Sequence, residues 1–149
     1  MTRRYARNYQ MSRDIDWFFA YGNQYYHVAS NGGAIPHFLN VDEKTNIELQ
    51  KEFANFPENI EHVTAITVRD NPNGLNYSSF IDYAKKGLIS IDKLDDEFEN
   101  QNYIVIAQPN AINDKIFQDF QDTFSKIPKL NNEDSDKIHV MGLSGEYLW

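Results

Sequence analysis

Between Asp14 and His37 the chain gathers more groups able to bind a ligand or move a proton than anywhere else: Asp14, Asp16, His27, Ser30, the run Asn31-Gly32-Gly33, and His37. An aspartate beside a histidine can orient the imidazole and raise its basicity for general acid–base work. A serine and consecutive backbone N–H groups at glycines can hold an anion or an oxyanion. The order Asp16, His27, Ser30 invites comparison with a hydrolase triad, but the Gly-x-Ser-x-Gly elbow is absent and Leu143-Ser144-Gly145 supplies only half of it. Catalytic candidates are therefore Asp16, His27 and Ser30, with Asn31, Gly32, Gly33 and His37 as ligand-binding candidates. His27, His37, Asp14 and Asp16 have none of the usual metal-ligand spacings, such as His-Glu-x-x-His, so neither a metal nor another cofactor is predicted.

Asp16 and His27 meet only if the chain reverses between them. Gly22-Asn23 separates two runs rich in aromatic and β-branched residues, the signature of a hairpin closed by a two-residue, glycine-first type II′ turn. That register sets Tyr21 opposite Gln24, Phe19 opposite Tyr26, Phe18 opposite His27 and Trp17 opposite Val28. Because strand side chains alternate faces, Ile15, Trp17, Phe19, Tyr26 and Val28 form one wall of a core. The other face carries Asp14, Asp16, Phe18, Ala20, Tyr25, His27 and Ala29, with Asp16 diagonal to His27.

The remaining elements must position this hairpin. Ser30 to Pro36 is rich in breakers and reads as a loop. Asn40-Val-Asp-Glu43 resembles a capping box and opens a helix to about Phe56, with Leu49, Phe53 and Phe56 on its apolar stripe. Residues 63–68 are rich in β-branched side chains and read as extended, and Asp70 to Gly74 is a turn cluster. A second helix is predicted over residues 76–86, stopped by Gly87. Residues 88–92 and 103–107 form a second strand pair. Ile116, Phe120, Phe124 and Ile127 mark a third helix capped by Asn113, and residues 137–141 a final strand. Trp149 is either tucked against the core or part of a contact surface. The predicted fold is α+β: a single domain over residues 13–149, with a mainly antiparallel sheet of about five strands, containing two hairpins and covered by three amphipathic helices. Residues 1–12 are predicted to be a basic, flexible extension.

Charge and composition narrow the function. Residues 1–13 hold Arg3, Arg4, Arg7 and Arg13 and no acid, a charge of +4, while the other 136 residues set ten Lys and Arg against 22 Asp and Glu, leaving −12. A body this acidic repels phosphate backbones, which argues against nucleic-acid binding. The absence of cysteine removes disulfides, thiolate chemistry and cysteine-ligated metals. No run approaches the roughly 20 apolar residues of a membrane helix. The arginine-bearing start lacks the apolar core of a secretory signal, so the expected location is cytoplasmic. Two functional readings remain. The leading one is a small acidic binding module, of inhibitor, immunity-type or adaptor character, that meets a protein partner with a basic surface. The alternative is a small acid–base hydrolase or transferase using the Asp16–His27 pair beside the Gly32-Gly33 loop. A homodimer through a free strand edge is compatible with either.

Overall fold

The computed structural model describes residues 3–58, 60–66, 77–111 and 114–149. Strands β1 (Asp16–Tyr21) and β2 (Gln24–Ala29) form the predicted hairpin in the predicted register, from Asp16 opposite Ala29 to Tyr21 opposite Gln24. Gly22 alone in the turn has positive φ (61°), which fits a type II′ turn and requires a residue without Cβ strain.

After the hairpin come helix α2 (Glu43–Ala54), which follows the short α1 (Arg7–Met11), then strand β3 (Val63–Ala65) and helix α3 (Ser78–Lys85). Strands β4 (Ile89–Lys93) and β5 (Asn102–Pro109) follow, then the short helices α4 (Asp114–Asp119) and α5 (Gln121–Phe124), a 3₁₀ segment (Asn132–Lys137) and strand β6 (His139–Met141). The sheet order is β1-β2-β4-β5-β3, with β6 also beside β5.

The sheet is mixed, which corrects the mainly antiparallel expectation. β1–β2, β4–β5 and β3–β5 are antiparallel, whereas β2–β4 and β5–β6 run parallel. The two hairpins are both present, but they join side by side through a parallel contact, reached by the long crossover containing α2, β3 and α3. There are six strands among the described residues, and the helices number more than three. The apolar stripe predicted for one third helix is divided at Phe120, whose backbone (φ −119°, ψ 35°) leaves the helical region, so α4 and α5 carry it in two pieces. The cap of α2 is Asp42 rather than Asn40: its carboxylate accepts from the Thr45 amide at 3.1 Å. At the end of α3, Gly87 (φ 98°) receives the chain in a Schellman arrangement, Leu88 N–H to Tyr83 O and Gly87 N–H to Ala84 O. The turn expected at 70–74, the Asn113 cap and the end of the 63–68 strand lie outside the described residues.

Both faces of the sheet are buried. Ile15, Trp17, Phe19, Tyr26 and Val28 form the predicted core wall, extended by Ile91, Tyr103 and Val105 of β4 and β5 and covered by irregular segments carrying Tyr5, Ile35, Leu39, Val41, Leu130 and Ile138. The helices cover the opposite face: Leu49, Phe53, Ile116 and Phe124 pack on Phe18 and Ala20, and Phe80 and Ala84 pack near Ala29 and Ala107. The half-polar face of the hairpin therefore lies beneath helices.

The first residues do not hang free as a loose extension. Tyr5 is buried in the core, the Arg3 amide donates to Asp42 (2.8 Å), Arg4 reaches the His37 carbonyl (2.6 Å), and Gln10 links Tyr5 O and the Ile35 amide. Arg7 lies over Phe98 and pairs with Glu99. Along the outer side of β1, the side chains of Asn46 and Gln50 donate to the Asp16 carbonyl at 2.9 and 2.8 Å, and Ala20 exchanges backbone bonds with Pro128 and Leu130.

Candidate functional site

The hairpin places Asp16 and His27 on one face, and the side chains meet: His27 Nε2 and Asp16 Oδ1 are 2.7 Å apart. The second ring nitrogen, Nδ1, is 2.6 Å from Ser90 Oγ on β4, which the parallel β2–β4 pairing sets directly beside His27. A carboxylate only accepts, so Nε2 carries a hydrogen and donates to Asp16; in the neutral ring Nδ1 then accepts from the Ser90 hydroxyl. Tyr83 of α3 stacks on the imidazole with centroids 3.7 Å apart and planes 16° from parallel, and Phe18 and Phe80 pack around it. His27 is 1% exposed and Ser90 is fully buried, whereas the Asp16 side chain is 44% exposed.

This line of Ser, His and Asp is thus open at the aspartate end. A hydrolase triad needs the reverse, with the serine reachable and the aspartate inside. The serine in the line is also Ser90, not Ser30. Ser30 is buried at the hairpin base, where its hydroxyl accepts from the Ile15 amide at 2.7 Å. The predicted anion-holding amides are likewise engaged within the chain. The Asn31 amide donates to Asp14 Oδ1 (2.8 Å), Gly32 to Arg13 O (2.9 Å) and Gly33 to Ser30 O (2.8 Å). Asn31 (φ 46°) and Gly32 (φ 77°) take the left-handed backbone that turns these amides inward onto the start of β1. His37 is exposed on its loop and makes no side-chain hydrogen bond to the His27 line. The structure therefore unites Asp16 with His27 and separates Ser30, Asn31, Gly32, Gly33 and His37 from their proposed tasks. Among the described residues, no three His, Asp or Glu side chains are grouped to hold a metal ion.

Asp16 opens into a depression of about 340 Å³ lined by Tyr5, Tyr9, Arg13, Asp14, Ile47, Gln50 and Tyr83. Tyr5 and Tyr9 are stacked at 5.6 Å, and the Arg13 guanidinium lies 4.8 Å from the Tyr9 ring centre. Burial, then the Asp16 charge and a hydrogen bond to it, push the Tyr83 hydroxyl well above its ordinary pKa. A further carboxyl lies nearby. Asp92 shares a face with Ser90 two residues before it, and both Asp92 and Asp16 are register partners of Ala29, one on each side. Burial raises Asp92 to about 6, opposed by the Lys93 amide hydrogen bond and reinforced by the Asp14 charge.

Sequence reasoning missed Ser90, Tyr83, Asn46 and Gln50. Asn46 and Gln50 left a signal: a polar i, i+4 pair interleaved with Leu49 and Phe53 on a buried stripe asks for a polar partner. Ser90 alternates with Ile89 and Ile91, so its face could be read, but its neighbour across a parallel contact could not. Comparison with protein-family models, with curated proteins and with solved structures gave no match.

Proposed function

We propose that this chain is a binding module that docks a basic protein partner at the base of the first hairpin, with the Asp16 carboxylate receiving a lysine or arginine side chain. The carrying observation is the fixed, half-exposed carboxylate at the open end of the buried His27–Ser90 line. An acceptor already oriented from behind loses little freedom on binding, which favours affinity. Beside it, the exposed Tyr9 ring already carries the Arg13 guanidinium, which shows within the chain itself the kind of cation–π contact a partner arginine would make there. Exposed Tyr9, Met11 and Ile47 supply apolar area beside the charge, and a net charge of −8 steers a basic partner inward. The acid–base alternative has less support: both His27 nitrogens are engaged and Ser90 is beyond the reach of a substrate. A cytoplasmic location remains part of this proposal.

The test is binding of a short arginine-rich peptide, followed by fluorescence anisotropy at low and moderate salt. Asp16→Asn keeps an acceptor for His27 and is expected to weaken binding at least fivefold. Asp119→Asn, a charge-matched change on the exposed side of α4, is expected to change it less than twofold. Equal losses in the two variants would reduce the interaction to general electrostatics and refute a docking role for Asp16.

A further inference from the structure

At the other end of the same hairpin we propose a second binding site, a depression that takes a neutral saccharide on the half-exposed rings of Tyr21 and Trp149, the Tyr26 hydroxyl and the carboxamides of Asn23, Gln24 and Gln108. The depression has a volume of about 690 Å³ and lies between the hairpin tip, the end of β5 and the segment Leu148-Trp149. Trp149 is held in place by its indole N–H, which donates to Ser135 O at 2.9 Å, and its ring lies 4.7 Å from Tyr21 and 5.5 Å from Tyr26.

Three observations point to the ligand. First, no charged side chain lines the depression, although 24% of the chain is charged. Second, Tyr26 is 4% exposed and lines the depression, and no hydrogen bond within the described residues engages its hydroxyl. The oxygen is not among the buried polar atoms that lack a partner, so it is the part of this buried residue that reaches the open space of the depression, free to meet a ligand. Burial accordingly holds its pKa far above the ordinary phenol value. Third, the side chains of Asn23, Gln24 and Gln108 make no hydrogen bonds within the described chain, whereas the neighbouring Asn110 is engaged by Thr64.

A sugar ring meets this pattern group by group. Its C–H face lies on an aromatic ring, and its hydroxyls both donate and accept, as do a carboxamide and a phenol. A purely apolar ligand would leave the phenol and carboxamides unpaired. A nucleotide would bring phosphate to an acidic body at a place with no cation to receive it.

The probes are maltotriose, cellotriose, chitotriose and mannotriose, with adenosine as the comparison, titrated into the ¹⁵N-labelled full chain. At least one trisaccharide is expected to shift the amides of residues 21–26, 108 and 147–149 saturably. Tyr26→Phe, which removes only the unpartnered oxygen and so keeps the fold, and the pair Gln24→Ala with Gln108→Ala are each expected to weaken that binding by roughly fivefold or more. The proposal is overturned if none of the four sugars moves those amides at millimolar concentration, if the shifts survive the substitutions unchanged, or if adenosine alone produces them.

Discussion

The two ends of the first hairpin are built from the same pair of strands and differ in almost every physical respect. At the base, His27 and Ser30 are buried, Asp14 and Asp16 stand at the open margin and Asp92 lies between, and each named donor or acceptor is matched or shifted by a neighbour. At the tip, the depression beside Tyr21, Gly22, Asn23 and Gln24 is lined by no charged side chain, and the carboxamides of Asn23 and Gln24 make no hydrogen bonds within the described residues. The glycines express the contrast. A Cβ at Gly33 would stand 2.5 Å from Lys93 Cδ and 3.0 Å from Ser30 O, while one at Gly22 would meet nothing within 4 Å. A long strand pair thus lets a buried polar network be assembled at one end without constraining what the other end presents.

The sharpest way to break this comparison is to remove the imidazole. His27→Ala leaves a cavity between Phe18, Phe80 and Tyr83 and strands the buried Ser90 hydroxyl, so a loss of about 3–4 kcal/mol is expected in urea unfolding. Asn23→Ala at the exposed tip should stay within about 0.5 kcal/mol of the parent. Equal losses would mean that the base is no more tightly determined than the tip.

Asp92 sharpens the contrast through pH. Its folded-state value of about 6 lies above the ordinary carboxyl value, so the folded chain holds a proton that the unfolded chain releases. Stability from this group is greatest below about pH 4 and is lost as pH rises through 6. Asp92→Asn should remove that decline and gain on the order of 2 kcal/mol at pH 7.5, measured as the difference between the two unfolding profiles. Asp42 and Asp95, both held below the usual carboxylate range by hydrogen bonds, have the opposite slope, which is why the variant must be read against the parent.

The glycines carry the same comparison into the backbone. Gly33→Ala must displace a Lys93 stem whose ammonium is tied to Asn100 O and faces Asp95, and about 2 kcal/mol of destabilisation is expected. Gly22→Ala meets only its own backbone strain, about 1 kcal/mol. Thermal unfolding of the two variants side by side checks the order, and a reversed order would contradict the packing described for the base.

The hairpin was legible because its information is local. Gly22-Asn23 fixes the turn, alternation fixes the faces, and together they bring Asp16 diagonal to His27 before any tertiary contact is known. Ser30 and the Asn31–Gly33 amides were misread for the same reason. Their types suit an anion, but whether amides point outward depends on what lies in front of them, and here Asp14 and the carbonyls of Arg13 and Ser30 fill that position. Ser90 and the mixed sheet were beyond local reading, since nothing near residue 90 indicates that it will lie beside residue 27 in parallel. The split of the third helix at Phe120 is equally silent in its spacing, because a stripe can continue through a break when both pieces rest on one surface.

One detail of β1 bears on self-assembly. Its carbonyl at Asp16 is occupied by Asn46 and Gln50, and Ala20 is bonded to Pro128 and Leu130. A strand sealed at both ends of its outer side offers no ladder to a second chain. A dimer built by edge-to-edge strand pairing would therefore have to use another strand.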